Sequence, residues 1–157
     1  ALIGLGCEFI RHQTFDICME ACEYSHNAIK YIIDNDLRYK IYLELIKKNC
    51  YAVLLTDIWS HELLLDAIKI NKNVISHINS QQQTYELCME AIKQDVSMLE
   101  HVQNQTVEIC IAALKLDIDA INYIKVHVLR ELIRNNMIEI RINDVDFVGS
   151  DHQTQSQ

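Results

Sequence analysis

The hexapeptide Gln105-Thr106-Val107-Glu108-Ile109-Cys110 echoes Gln83-Thr84-Tyr85-Glu86-Leu87-Cys88, and both echo Gln13-Thr14-Phe15-Asp16-Ile17-Cys18. Self-similarity at so short a period constrains a chain strongly. A segment of this size cannot bury its apolar face alone and must stack on copies of itself. Aligning the copies on a central small or apolar residue gives anchors at Ala21, Leu45, Ala67, Ala91, Ala113 and Leu132, spaced by 24, 22, 24, 22 and 19 residues.

The columns around these anchors define the unit. Four positions before the anchor stand Ile17, Ile41, Leu63, Leu87, Ile109 and Val128, and one after it stand Cys22, Ile46, Ile68, Ile92, Leu114 and Ile133. With the anchor itself and the column of Cys18, Tyr42, Leu64, Cys88, Cys110 and Leu129, apolar positions recur as one face of an amphipathic helix. Two after the anchor, Glu23, Lys47, Lys69, Lys93, Lys115 and Arg134 form a charged, solvated column. Glu44–Lys47, Asp66–Lys69, Glu90–Lys93 and Glu131–Arg134 are then i, i+3 pairs, each supplying only about 0.2–0.5 kcal/mol.

Four after the anchor come Ser25, Asn49, Asn71, Asp95, Asp117 and Asn136, all residues whose short side chains cap helix N-termini. Eight after it, Ile29, Val53, Ile75, Leu99, Ile121 and Ile140 are again apolar, usually preceded by Ala, Val or Met. The pattern predicts a first helix of about ten residues, a tight turn, and a second helix of about seven beginning at the capping column. Helices this short are marginal alone, so stacking must supply their stability. The expected fold is all-α: an α-solenoid of about six 22–24-residue helix-turn-helix repeats, with units starting near residues 13, 37, 59, 83, 105 and 125.

The array is expected to span 1–148, with 1–12 the tail of an earlier unit and 149–157 a polar tail or the start of a further one. His152-Gln153-Thr154 repeats His12-Gln13-Thr14, which favours a fragment of a longer array. Residues Ile138 to Asn143 alternate in polarity and read equally as a short strand or a frayed helix. The alternation of 24 and 22 fits loops that alternate in length, or two accidental insertions.

Composition agrees with helices. The chain has three Gly and no Pro in 157 residues, which removes collagen-like, linker-rich and turn-dense all-β alternatives. Its net charge of −8 argues against nucleic acid, which needs a concentrated basic surface. Six Cys, four of them within helical segments, fit reduced intracellular thiols. Residues 1–7 lack a basic leader and a long apolar core, and no apolar run reaches the ~18 residues of a membrane-spanning helix, so membrane insertion is not expected.

The segment 104–115, followed by Ala120-Ile121-Asn122-Tyr123-Ile124-Lys125, resembles the short helical repeat of unknown function abundant in mimivirus-type giant DNA virus proteins. The likeness covers nearly all of the chain and is clearest at 13–33 and 83–125. Units near Arg38 and Ser60 are degenerate, and the final one departs most. The resemblance implies a repeat scaffold in an intracellular viral protein and carries no implication of catalysis.

Cys18, Cys22 and His26 recur every four residues and would share a face if one continuous helix ran through them, as a zinc site would want. The columns oppose this, because Cys18 and Cys22 stand where other units carry Leu and Ile, and Ser25 predicts a helix break. Seven His (12, 26, 61, 77, 101, 127, 152) occupy different columns. The sequence has no HExxH, G-x-S-x-G, phosphate-cradling glycine loop or CxxC. No catalytic, cofactor-binding or metal-ligating residue is therefore assigned, and the chain is read as non-enzymatic. Its expected partner is another protein along the solenoid surface, or further copies of itself in a virus particle, in host cytoplasm or virion. Residues that break their columns, Trp59, Tyr24, Tyr31, Tyr39, Tyr51, His61 and Tyr123, are the candidates for contact or for packing at seams between units.

Overall fold

The computed structural model describes residues 12–55 and 60–135. Six α-helices alternate with five 3-10 helices among them. The α-helices are α1 (Phe15–Tyr24), α2 (Asn35–Lys48), α3 (His61–Ile70), α4 (Tyr85–Gln94), α5 (Val107–Leu116) and α6 (Val126–Arg134). The 3-10 helices are η1 (His26–Tyr31), η2 (Cys50–Leu55), η3 (Lys72–His77), η4 (Val96–His101) and η5 (Ile118–Tyr123). Each unit is one α-helix and the 3-10 helix after it.

Side chains start the α-helices. Thr14, Asp34, Ser60, Thr84 and Thr106 each accept from the backbone N–H three residues on, relieving one of the orphan donors of a helix N-terminus. Asp16, Asp36, Glu62, Glu86 and Glu108 stand in first turns, and Lys69, Lys93 and Lys115 in last turns, matching the helix dipole. Lys125, before α6, makes no side-chain cap.

The capping column does two jobs. The backbone N–H of Ser25, Asn49, Asn71, Asp95 and Asp117 donates to the carbonyl of the anchor four residues earlier, closing the last α-helical turn. Four of the same residues, Asn49, Asn71, Asp95 and Asp117, then accept from the N–H two residues on through Oδ1, at 2.9–3.2 Å. The Ser25 hydroxyl makes no such bond. One residue thus ends one helix and begins the next in extended backbone, with φ between −144° and −159° at Ser25, Asn49, Asn71, Asp95 and Asp117. No left-handed residue is required, which explains how the chain turns repeatedly with so few Gly.

The second helix differs from expectation in being a six-residue 3-10 helix. The reason lies in a column eleven after the anchor: Ile32, Ile78, Val102 and Ile124 are all buried. Together with the buried column three residues earlier (Ile29, Ile75 and Leu99), they stack on one side of a helix with three residues per turn. The N–H groups of Ile32, Val102 and Ile124 donate back to the carbonyls of Ile29, Leu99 and Ile121.

The α-helices pack in one row and the 3-10 helices in another, and every extensive contact between elements lies within a unit or between consecutive units. This is an all-α helical repeat fold with its core between the rows. Anchors Leu45, Ala67, Ala91, Ala113 and Leu132 are buried, as are Ile46, Ile68 and Ile92 one position on. Burial also has a direction. Ile17 is 37% exposed although Ile41, Leu63, Leu87, Ile109 and Val128 in its column are buried, so that column faces the preceding unit. Ile133 is 44% exposed at the opposite end of a column that Ile92 keeps at 2%, so that column faces the following unit.

The 24-residue spacings share a cause. Between η3 and α4 lie seven residues (78–84), whereas three (32–34) separate η1 from α2, which is one turn longer than its neighbours at its N-terminus. The connections in the 22-residue spacings have five residues, 56–60 and 102–106. Extra residues enter at one point of the unit and are either looped out or wound onto the helix. Residues 1–11, 56–59 and 136–157 lie outside the described residues, and with them Trp59, the stretch 138–143 read as strand or frayed helix, and the tail 149–157.

Candidate functional site

Glutamines form the seams. Gln105 is the one polar side chain buried in the core among the described residues, 6% exposed. Its Nε2 donates to Leu99 O (2.7 Å) and Tyr123 O (2.9 Å), and its Oε1 accepts from Lys125 N (2.7 Å). Gln83 repeats the arrangement with His101 O (3.1 Å) and Gln103 N (2.8 Å), and Gln13 with Tyr31 O and Ile33 N, both 2.8 Å. In each case the amide reads a carbonyl 18 residues on and an N–H 20 residues on, as a strand-pairing peptide would. The Gln-Thr pair of the repeat is thereby explained: Gln clasps the end of the 3-10 helix in its own unit, and Thr caps the α-helix.

Two further seams use side chains to satisfy helix C-terminal carbonyls. Asn71 Nδ2 donates to Ile46 O (3.2 Å) and Gln94 Nε2 to Ile68 O (2.9 Å), each reaching back one unit. Lys125 Nζ donates to Val102 O (3.0 Å) and Gln103 O (2.6 Å).

The column-breaking residues among those described divide into three groups. Tyr39 and His61 serve seams: Tyr39 OH donates to Asp66 Oδ2 (2.8 Å), and His61 Nε2 lies 2.9 Å from Glu86 Oε2. Burial, then the Asp66 contact, pushes the Tyr39 phenol up to about 12. Tyr123 is half-buried against the core. Tyr24, Tyr31 and Tyr51 are exposed, Tyr24 by 74%. Of the four expected i, i+3 pairs, Lys47–Glu44 (2.5 Å) and Lys69–Asp66 (3.4 Å) close. Glu90–Lys93 and Glu131–Arg134 form no ion pair. Lys48 instead reaches Glu23 on α1, and Lys72 Nζ lies 2.8 Å from Asp95 Oδ2. That bond, with those from Ser97, holds the Asp95 carboxyl well below the usual carboxylate range.

Cys18 and Cys22 are buried on α1, while His26 is exposed on η1 beyond the break at Ser25, so the three do not converge. No group of three or more His, Cys, Asp and Glu able to hold a metal occurs among the described residues. Burial pushes the thiols of Cys88 and Cys110 up to about 11. His12, His101 and His127 are exposed, and His152 lies outside the described residues.

One grouping went unread in the sequence. Cys50, at the start of η2, places Sγ 3.3 Å from Nε2 of His77, at the end of η3. The Tyr51 ring lies 4.3 Å from the His77 ring, tilted by 38°. Burial, and the like charge of His101 on η4, lower the His77 pKa and favour neutral imidazole. No column predicts this meeting, because it joins the fifth position after one anchor to the tenth after the next.

No helix among the described residues is long and apolar enough to cross a membrane. Compared with known proteins, the chain matches no family model, no curated protein and no solved structure.

Proposed function

We propose that this chain is a non-enzymatic interaction scaffold whose partner is a protein rather than nucleic acid. The observation that carries the reading is the division of labour among its side chains. The repeated columns and the glutamines are spent on the stack, while Tyr24 and Tyr31, which differ from unit to unit, project outward without a column to explain them. Exposed aromatics on a rigid array supply large contact area at low entropic cost, as at protein–protein hot spots. In keeping with the resemblance noted in the sequence, the scaffold is assigned to a giant virus, in host cytoplasm or virion.

A second reading, a particle component built by self-association, is favoured by the outermost described helices, where Ile17 and Ile133 leave axial columns open. Apolar columns left open on a repeat array favour self-association through such faces. Light scattering over a dilution series separates the two: a monomer at every concentration supports the scaffold, and concentration-dependent multimers support the assembly. Proteomics of purified particles tests packaging. An enzyme using Cys and His is the remote alternative, and zinc co-purifying in stoichiometric amount would revive it.

A further inference from the structure

We infer that Cys50 and His77 form a thiol–imidazole pair that makes Cys50 a site of reversible mixed-disulfide formation with low-molecular-weight disulfides. The two groups lie 27 residues apart in sequence and meet only because η2 and η3 stack, with Sγ and Nε2 at 3.3 Å. Three features set this thiol apart. It is partly exposed, whereas Cys18, Cys22, Cys88 and Cys110 are all fully buried. Its neighbour is an imidazole, the side chain best suited to accept a thiol proton near neutral pH. Tyr51 covers one flank of that imidazole and holds the ring beside the sulfur.

The chemistry balances without a further reagent. His77 Nε2 accepts the Cys50 proton, and the thiolate attacks one sulfur of the small disulfide. The Sγ–S bond forms as the S–S bond of the reagent breaks, and the departing thiolate takes the proton from His77. One disulfide is consumed and one is made. Burial and the like charge of His101 lower His77 basicity, so the imidazole is neutral near pH 7 and accepts the proton as a general base while the Sγ–S bond forms. A group attached to Sγ must displace the His77 ring, so the modification would loosen the seam between η2 and η3 and be reversed by any reducing thiol.

The test treats native protein with oxidised glutathione, quenches with acid, and reads each cysteine peptide by mass spectrometry, so that Cys7 is scored separately. The expected result is a mixed disulfide at Cys50, with Cys18, Cys22, Cys88 and Cys110 untouched. The rate at Cys50 should be about tenfold above that of the same thiol in urea-unfolded protein, less than the ~100-fold of a well-matched general base because His77 is a weakened one. H77N should remove that excess. Preferential modification of a buried cysteine, or a native rate at Cys50 no faster than the unfolded one, would overturn the assignment. The native-to-unfolded comparison uses only the wild-type chain and so decides even if H77N fails to fold.

Discussion

Replacing Gln105 with Leu removes three bonds to the backbone at once while keeping side-chain volume nearly constant. The bonds are those to Leu99 O, Tyr123 O and Lys125 N. A neutral hydrogen bond nets about 1 kcal/mol, so three contribute about 3 kcal/mol, and the abandoned backbone groups add desolvation cost. Leu returns about 1–2 kcal/mol through burial of its apolar surface. The net loss should be about 2–4 kcal/mol, a large share of the ~5–15 kcal/mol typical of a whole domain. Gln83→Leu, whose site is half-buried and open to replacement water, should cost about 1–2 kcal/mol. Urea unfolding followed by circular dichroism measures the difference. Hydrogen exchange at the Lys125 amide localises it, which matters because repeat arrays unfold in parts. A loss under about 1 kcal/mol for Gln105→Leu, with Lys125 protection unchanged, would refute the view that the Gln105 amide ties the end of its own 3-10 helix to Leu99 of the preceding unit.

Three other perturbations probe the same construction. Asp95→Asn preserves an Oδ1 acceptor for Ser97 but removes the charge facing Lys72. Because the folded carboxyl titrates below its unfolded value, its charge stabilises the fold above about pH 4 and ceases to do so as pH falls further. The deficit of the variant in urea midpoint at pH 7 should therefore shrink toward pH 3. Ile92→Ala should cost about 2–4 kcal/mol by cavity formation, and Ile133→Ala, in the same column but exposed, under about 1 kcal/mol; equal costs in calorimetry would contradict the directional seams. Tyr42→Phe removes the bond from the buried phenol to Val53 O (2.9 Å) and should lower stability by about 1 kcal/mol with no change in circular dichroism.

Helical units, their anchors and the capping column were legible because each rests on a local requirement repeated down the chain. An apolar face must recur every three or four residues, and a helix start needs an oxygen at its N-terminus. The same local logic misplaced the start of the second unit, where Asp34 caps α2 earlier than the degenerate sequence near Arg38 implied. The 3-10 geometry was available in the column of Ile32, Ile78, Val102 and Ile124, but Thr56 interrupts it and a spacing of three is easily absorbed into an α-helical reading. The roles of Gln13, Gln83 and Gln105 were not legible, since their partners are backbone groups that carry no side-chain signature. For the same reason Cys50 and His77 could not be paired: they belong to different positions of different units, and only the stack determines that they touch.

The variable connection between each 3-10 helix and the next α-helix has an evolutionary and practical corollary. Since two additional residues leave the packing planes on either side undisturbed, this junction is the place where the polymer tolerates lengthening. A foreign peptide grafted between Asn79 and Gln82 should be displayed without altering the pitch of the stack, whereas an insertion beside Asn71 or Asp95 would break the cap between an α-helix and the 3-10 helix that packs on it.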